Sequence, residues 1–292
     1  MICLDTPPFL PFSGDGPQRL PGLSPLEPGT WITNLPDLPA QLDYRARLIE
    51  TRRQDVIGAL PGTDAATGEL LETCLAHLAA LEGWEVGFNS VVCPGGVNVK
   101  LHRADPLGTI GKLVSEDFCI LQKEKDASEY HLGAAVLCFP AYWRLADKLG
   151  RPLTGIHAPV PDYGDDLARR VNRVFEALQF EKPVVRYNWG LAPVAELHSP
   201  PKAKKAWPDV TADMVLFLRV ERQTLRRLGK SGAVVFSIRS SVSPLSGLSA
   251  RDAGAMLTAL DAQSPEMTAY KGGAALFGVA KTQLQRRAAV SR

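Results

Sequence analysis

Five apolar runs of strand length fall into two groups along this chain, without the regular strand–helix alternation of a doubly wound sheet. The first group is DFCILQ (117–122) and EYHLGAAVLCF (129–139), separated by the charged turn KEKDAS, which is a hairpin pattern. The second is VVRYNWGL (184–191), DMVLFLRVE (213–221) and AVVFSIRSSV (233–242). Two groups of strands, with helices between and outside them, predict an antiparallel sheet in an α+β fold.

Residues 1–40 are rich in proline and glycine and have no clear period. They read as an extended arm over the surface of a domain, with Trp31 as its anchor. Residues 41–292 form that domain, with helical additions at 41–83 and 249–292. In the second of two helices expected in 41–83, Leu70, Leu71, Cys74, Leu75, Leu78 and Leu81 make one apolar stripe. His77 falls on the flank of the stripe and is expected at the surface. A helix is expected from Tyr142 to about Leu149. Another opens at Asp165 and Asp166, acidic residues suited to a helix N-terminus, and continues through Leu167, Val171, Val174, Phe175 and Leu178. From Ser249 onward two or three helices are expected.

With 33 basic and 31 acidic residues, the net charge of +2 gives no general reason to expect nucleic acid or an acidic membrane as partner. Five scattered cysteines (Cys3, Cys74, Cys93, Cys119, Cys138) fit a reducing cytoplasm better than a disulfide framework. MICLDTPPFLPFSG lacks the basic start and unbroken apolar run of a signal peptide. LGAAVLCFPAYW (132–143) is too short to span a bilayer. A soluble cytoplasmic protein is expected.

LGKSG at 228–232 fails as a phosphate loop, because the glycine required five positions before Gly229 is Thr224. No G-x-G-x-x-G follows a strand, and G-x-S-x-G, H-E-x-x-H, C-x-x-C and C-x-x-C-H are absent from the sequence. Familiar hydrolases, zinc enzymes, nucleotide binders and c-type haem attachment are therefore poor matches.

TGIHAPVPDYGDD (154–166) holds His157 between Pro159 and Pro161 on one side and Gly155 on the other, with Gly164 beyond. Two readings stand: an imidazole whose aim matters, or a rigid connector that contains a histidine. His131 sits in an expected strand, His102 follows VNVKL, and His198 lies in a proline-rich loop. PPKAKKAWPD (200–209) reads as a docking loop for an acidic partner or as a solvated loop. RVERQTLRRLGK (219–230) reads as a solvated helix face or as an arginine cluster for carboxylates or phosphates. In VVRYNWGL, Val185, Tyr187, Trp189 and Leu191 share one face and Arg186 and Asn188 the other. Arg239 stands opposite Val234, Phe236 and Ile238, so central strands would bring several arginines to one cavity or to an exposed sheet face.

The order of LVSEDFCILQ, LCFPAYWRLADKLGRPLTGIHAPVPDY, VVRYNWGL, LRVERQTLRRL, VVFSIRSSVSPL and PEMTAYKG resembles the alpha-subunit family of haem-dependent oxidative N-demethylases, of the dimethylamine mono-oxygenase type. The resemblance covers about residues 23–280. It implies a PAS-like fold, a five-stranded antiparallel sheet with flanking helices and added N- and C-terminal helices. It also implies a non-covalent b-type haem with one axial histidine, and a small secondary amine demethylated to formaldehyde with dioxygen. Electrons would come from NADPH through partner subunits carrying flavin and an iron–sulfur cluster. Within its IHxPVP pattern the resemblance favours His157 as iron ligand over His131 and His102. Loop carbonyls or Asp162 would take the proton of its second nitrogen. Arg222, Arg226 and Arg239, then Arg186 with its neighbour Asn188, become the residues expected around the cofactor. Glu116 and Asp117 become the acidic pair for the substrate ammonium, and Tyr187 or Trp189 its aromatic wall. A haem-holding PAS-like sensor of gas or redox state is the alternative; the absence of an output segment favours the enzyme.

Overall fold

A computed structural model describes residues 2–12, 22–159, 161, 165–201, 205 and 207–289. Its elements run β1 (Ser24–Pro25), α1 (Leu38–Thr51), α2 (Arg53–Val56), β2 (Ile57–Ala59) and α3 (Asp64–Leu78). A small hairpin sheet follows, β3 (Glu85–Val86), β4 (Ser90–Val92) and β5 (Asn98–Lys100), then α4 (Pro106–Leu113). Next come β6 (Asp117–Gln122), β7 (His131–Val136), α5 (Leu153–His157) and α6 (Asp165–Ala177). The last part holds β8 (Val184–Ala192), β9 (Phe217–Arg227), β10 (Val234–Pro244), α7 (Ala250–Asp261), α8 (Pro265–Lys271) and α9 (Ala274–Ala289).

The fold is α+β. Seven strands make one antiparallel sheet in the order β1-β8-β9-β10-β6-β7-β2. Its five central strands are those expected from the apolar runs, and β6 has the expected bounds. The edge pieces β1 and β2 escape a sequence reading because each is only two or three residues of mixed texture.

Three departures from expectation have local causes. Residues 219–227 are strand, not helix: β9 pairs along its whole length with β10, and the alternation Leu218, Val220 against Arg219, Glu221 is a two-residue period. The helix expected from Tyr142 shrinks to a single 3-10 turn at Leu145–Asp147. The proline loop instead begins with the helical turn α5, which ends on His157.

Cross-strand partners share a face, so register assigns every side chain. On one face Phe118, Ile120, Val136 and Val235 are buried among residues of α1, α3 and α4. Farther along it Leu191, Leu218 and Val220 meet Met256, Leu260, Leu276 and Phe277 of α7 and α9. Val171, Val174, Phe175 and Leu178, the expected stripe of α6, cover the opposite face at Val184, Leu225 and Val234. That face carries the polar residues discussed below.

The N-terminal segment is strapped to the first face. Trp31 is 2% exposed, edge-on to Phe118 and to the His77 ring at 5.8 and 5.6 Å, with the Arg226 guanidinium 4.7 Å from its centroid. His77 is therefore not a plain surface residue, since its Nε2 accepts the Ile32 N–H at 3.3 Å. Burial first, and Arg226 second, push its pKa below 6.5. Protonating Nε2 replaces the acceptor by a donor. With the folded pKa depressed, the stability His77 contributes is whole above pH 6.5 and is lost as pH falls through the folded value. The melting temperature is expected to drop between pH 7 and about pH 5, and His77→Gln, which keeps an acceptor without titrating, to flatten part of that drop. An unchanged slope in the variant would contradict this.

Candidate functional site

The polar face of the central strands is set by register. Arg186 lies opposite Gln223, and Asn188 opposite Glu221, which in turn is opposite Ser240. Arg219 is one step further along the same face. Glu221 is held by its neighbours: Oε2 accepts from Gln223 Nε2 at 2.9 Å and from Asn188 Nδ2 at 3.4 Å, while Arg219 Nε stands 3.5 Å from Oε1. Arg219 spends its terminal nitrogens on the carbonyls of Leu197 (2.9 Å) and Phe139 (2.5 Å) and on Ser240 Oγ (3.0 Å). Among the described residues, Glu221 Oε1 therefore accepts no hydrogen bond and has one oxygen to offer.

α5 packs on this side of the sheet through Leu153 and Ile156, which sets His157 within electrostatic reach of Arg186. Its Nδ1 lies 2.9 Å from the Leu153 carbonyl oxygen. A carbonyl can only accept, so Nδ1 carries the proton and the ring lone pair is on Nε2. Burial drives the His157 pKa down, Leu153 opposes, and Lys148 and Arg186 add to the depression. A neutral imidazole oriented by a backbone carbonyl, as in this half-buried histidine, is the form in which histidine ligates a metal. Asp162, the other expected acceptor, lies outside the described residues.

Among the described residues, neither of the two cations that act on His157 makes a salt bridge. Arg186 Nε is buried without a hydrogen bond, and among the described residues the guanidinium makes no salt bridge. Burial lowers its pKa, with Glu221 opposing. Lys148 lies 4.6 Å from the Trp143 ring centroid, and burial lowers its pKa against the pull of Cys119, Asp147 and Glu221. An unsatisfied buried cation is costly and calls for an anion.

Aromatic groups close the far end. Tyr142 has φ +63°, a left-handed conformation that costs a tyrosine about 1–2 kcal/mol. Its N–H donates to the Ser199 carbonyl at 2.6 Å and its ring meets Trp207 edge-on at 5.4 Å. Tyr142 is within electrostatic reach of both Arg219 and Glu221. Backbone strain of this kind collects at functional sites.

The expected convergence of arginines does not occur. Arg239, Arg222 and Tyr187 stand in one register row and so share the opposite face from Arg186. There Arg222 donates to the Thr30 and Trp31 carbonyls at 2.6 and 3.2 Å, Arg239 pairs with Asp37, and Arg226 lies over Trp31. These three hold the N-terminal strap. Tyr187 packs on Phe9 at 5.6 Å. The acidic pair is also structural: Glu116 Oε1 accepts from Thr33 N–H and Oγ1, and Asp117 pairs with Arg45 at 2.6 Å. None of these partners belongs to the polar face. His131 bridges to Pro152 at the start of β7, and the His102 N–H donates to Thr109. His198 Nδ1 donates to the Cys138 carbonyl at 2.8 Å, and its Nε2 lies 3.5 Å from Arg52 Nη1. Glu221, Lys148 and Tyr142, which border the same face, were not singled out in the sequence, whereas Arg219 opens the arginine-rich stretch 219–230 that was. For β9, the signal was Arg219, Glu221 and Gln223 at every second position.

A family model described as haem-dependent oxidative N-demethylase, alpha subunit-like, matches residues 22–280. The chain belongs to this family. Histidine is one of the side chains that hold a haem iron, and cations suit the haem's propionates; the donor set around His157, a histidine beside Arg186 and Lys148, is of that kind. Among the described residues no helix is long and apolar enough to cross a membrane.

Proposed function

We propose that this chain is the haem-carrying component of an oxidative N-demethylase, with His157 as axial ligand and Arg186 and Lys148 as partners of the propionates. The observation that carries the reading is the Nδ1–Leu153 bond of a half-buried His157 of depressed pKa, beside two half-buried cations that make no salt bridge among the described residues. The five central strands support a PAS-like sheet for a non-covalent b-type haem. Bound there, the haem supplies dioxygen activation: R–NH–CH3 + O2 + 2 electrons + 2 H+ gives R–NH2, formaldehyde and water. Electrons come from partner subunits carrying flavin and an iron–sulfur cluster, in the cytoplasm, and dimethylamine is the model substrate.

Glu221 takes the role first assigned to Glu116 and Asp117. Its Oε1 accepts an N–H of the substrate ammonium, while Gln223 and Asn188 hold Oε2 and fix the carboxylate plane. Tyr142 and Trp207 supply the aromatic wall. A charge-assisted hydrogen bond is worth about 1.5–3 kcal/mol. Glu221→Gln should therefore weaken dimethylammonium binding at least about tenfold with haem uptake unchanged, followed by titrating the haem absorption band. Equal affinity in the variant would remove Glu221 from the site.

A further inference from the structure

A single peptide group connects the imidazole of His157 to a carboxylate outside its helix. α5 is one turn, LTGIH, with Gly155 at its centre and Pro152 at its N-cap, where no side chain caps it. A turn this short does not hold itself. The residues just ahead of β7 fasten it. The Leu153 N–H donates to the Tyr130 carbonyl at 3.0 Å, the Leu132 N–H to the Arg151 carbonyl at 3.1 Å and the Gly150 N–H to the Leu132 carbonyl at 2.8 Å. The next donor along the turn, the Thr154 N–H, is one of those that a helix start leaves without an internal partner. It donates to Glu129 Oε2 at 3.0 Å, and the Thr154 hydroxyl lies 3.0 and 3.2 Å from the two oxygens of the same carboxylate.

The Thr154 N–H and the Leu153 carbonyl are the two ends of one planar peptide group. Glu129 holds the N–H end, and His157 Nδ1 meets the carbonyl end at 2.9 Å. Rotating that plane away from either partner disturbs both bonds. A carboxylate on the N–H also polarises the carbonyl, since hydrogen bonds in a chain strengthen one another. In metal sites a carboxylate or carbonyl commonly takes the second N–H of a ligating histidine, which fixes the ring and its tautomer. Here the carboxylate stands one peptide group further back.

We propose that Glu129 is a positioning residue for His157, acting through the Leu153–Thr154 peptide to hold the imidazole as its Nδ1–H tautomer with the lone pair on Nε2. Its consequence for cofactor binding rests on the reading of His157 as haem ligand; the tautomer itself does not. A carboxylate that only capped the turn would add stability without choosing between the two ring nitrogens.

The test is nitrogen NMR of the imidazole rings in the haem-free, full-length chain at neutral pH, with the His157 signals assigned by their loss in His157→Ala. The parent is expected to show the Nδ1–H tautomer alone. Glu129→Ala should give a mixture of tautomers and a haem affinity about tenfold lower, the low end of the loss when a partner of a ligating histidine is removed. Glu129→Gln should restore both, because its carbonyl can accept the Thr154 N–H and its amide can donate to the Thr154 hydroxyl. Thr154→Val removes the hydroxyl but keeps the N–H, and should leave the tautomer as in the parent. Glu129→Asp keeps the charge one methylene short of Thr154. It carries the same expectation as alanine, should circular dichroism show that Glu129→Ala does not fold. The parent's tautomer in a folded alanine or aspartate variant overturns the proposal, as does a mixture in Glu129→Gln or Thr154→Val. Haem binding is read separately by absorption. A parent chain without haem uptake, or His157→Ala with the parent's Soret band, defeats the haem reading, and the tautomer then decides the proposal alone. Where haem binding does depend on His157, a folded Glu129→Ala with the parent's haem affinity overturns the proposal and leaves the haem reading standing.

Discussion

Replacing Arg45 by alanine is expected to lower the stability of the protein by about 3–5 kcal/mol, because it strands a buried carboxylate. Arg45 is fully buried and Asp117 is 1% exposed. The guanidinium joins three elements: Nε donates to the Gly111 carbonyl at 2.8 Å, Nη2 to Glu116 O at 2.9 Å and Nη1 to Asp117 at 2.6 Å. Asp117 in turn accepts the N–H groups of Cys138 and Phe139 at 2.7 and 2.8 Å, where the chain leaves β7. Removing the cation leaves the carboxylate with two neutral donors and no counter-charge. Lysine does not repair the site, since one ammonium cannot reproduce the guanidinium's separate bonds. Denaturant unfolding measures the loss. A destabilisation below about 1 kcal/mol would mean that Asp117 is either solvated or protonated in the native state.

The second large effect falls on cofactor binding. His157→Ala removes the imidazole that α5 sets within electrostatic reach of Arg186, without removing a residue that packs in the core clusters. Losing even the groups that orient a ligating histidine costs 10–100-fold in metal affinity, so losing the ligand itself should weaken haem binding by more than about 100-fold. Free imidazole, small enough for the vacated volume, should restore part of the ligand field in the variant. Arg186 and Lys148 remain to hold the propionates, so weak residual haem association is compatible with the account.

The strands were legible wherever apolar character ran unbroken, as in DFCILQ, whose bounds the structure repeats. β9 was legible only as far as Glu221, because the arginines beyond it interrupt that texture. Arg222 and Arg226 are buried by the Thr30 and Trp31 carbonyls and the Trp31 ring, some 190 residues earlier, and no local pattern announces such partners. The same non-local pairing separates the arginines expected together. Arginines in strands look alike in sequence, but a period of two sends Arg186 to one face and Arg222 with Arg239 to the other, and only the register tells which face is lined by the strap. Glu116 and Asp117 follow the same logic, since their partners Thr33 and Arg45 come from the N-terminal segment and α1. Glu221 was within reach of a sequence argument. Reading residues 219–223 with a strand period puts Arg219, Glu221 and Gln223 on the face of Arg186 and Asn188.

The most direct test of the central claim is the absorption spectrum of the purified chain titrated with haem, beside His157→Ala under the same conditions. The account predicts saturation at one haem per chain with a Soret band of a histidine-ligated iron. In the variant that band should be lost or strongly shifted, then partly regained with added imidazole. An unchanged band in the variant would place the ligand elsewhere, and no haem uptake by the parent chain would contradict the haem site itself.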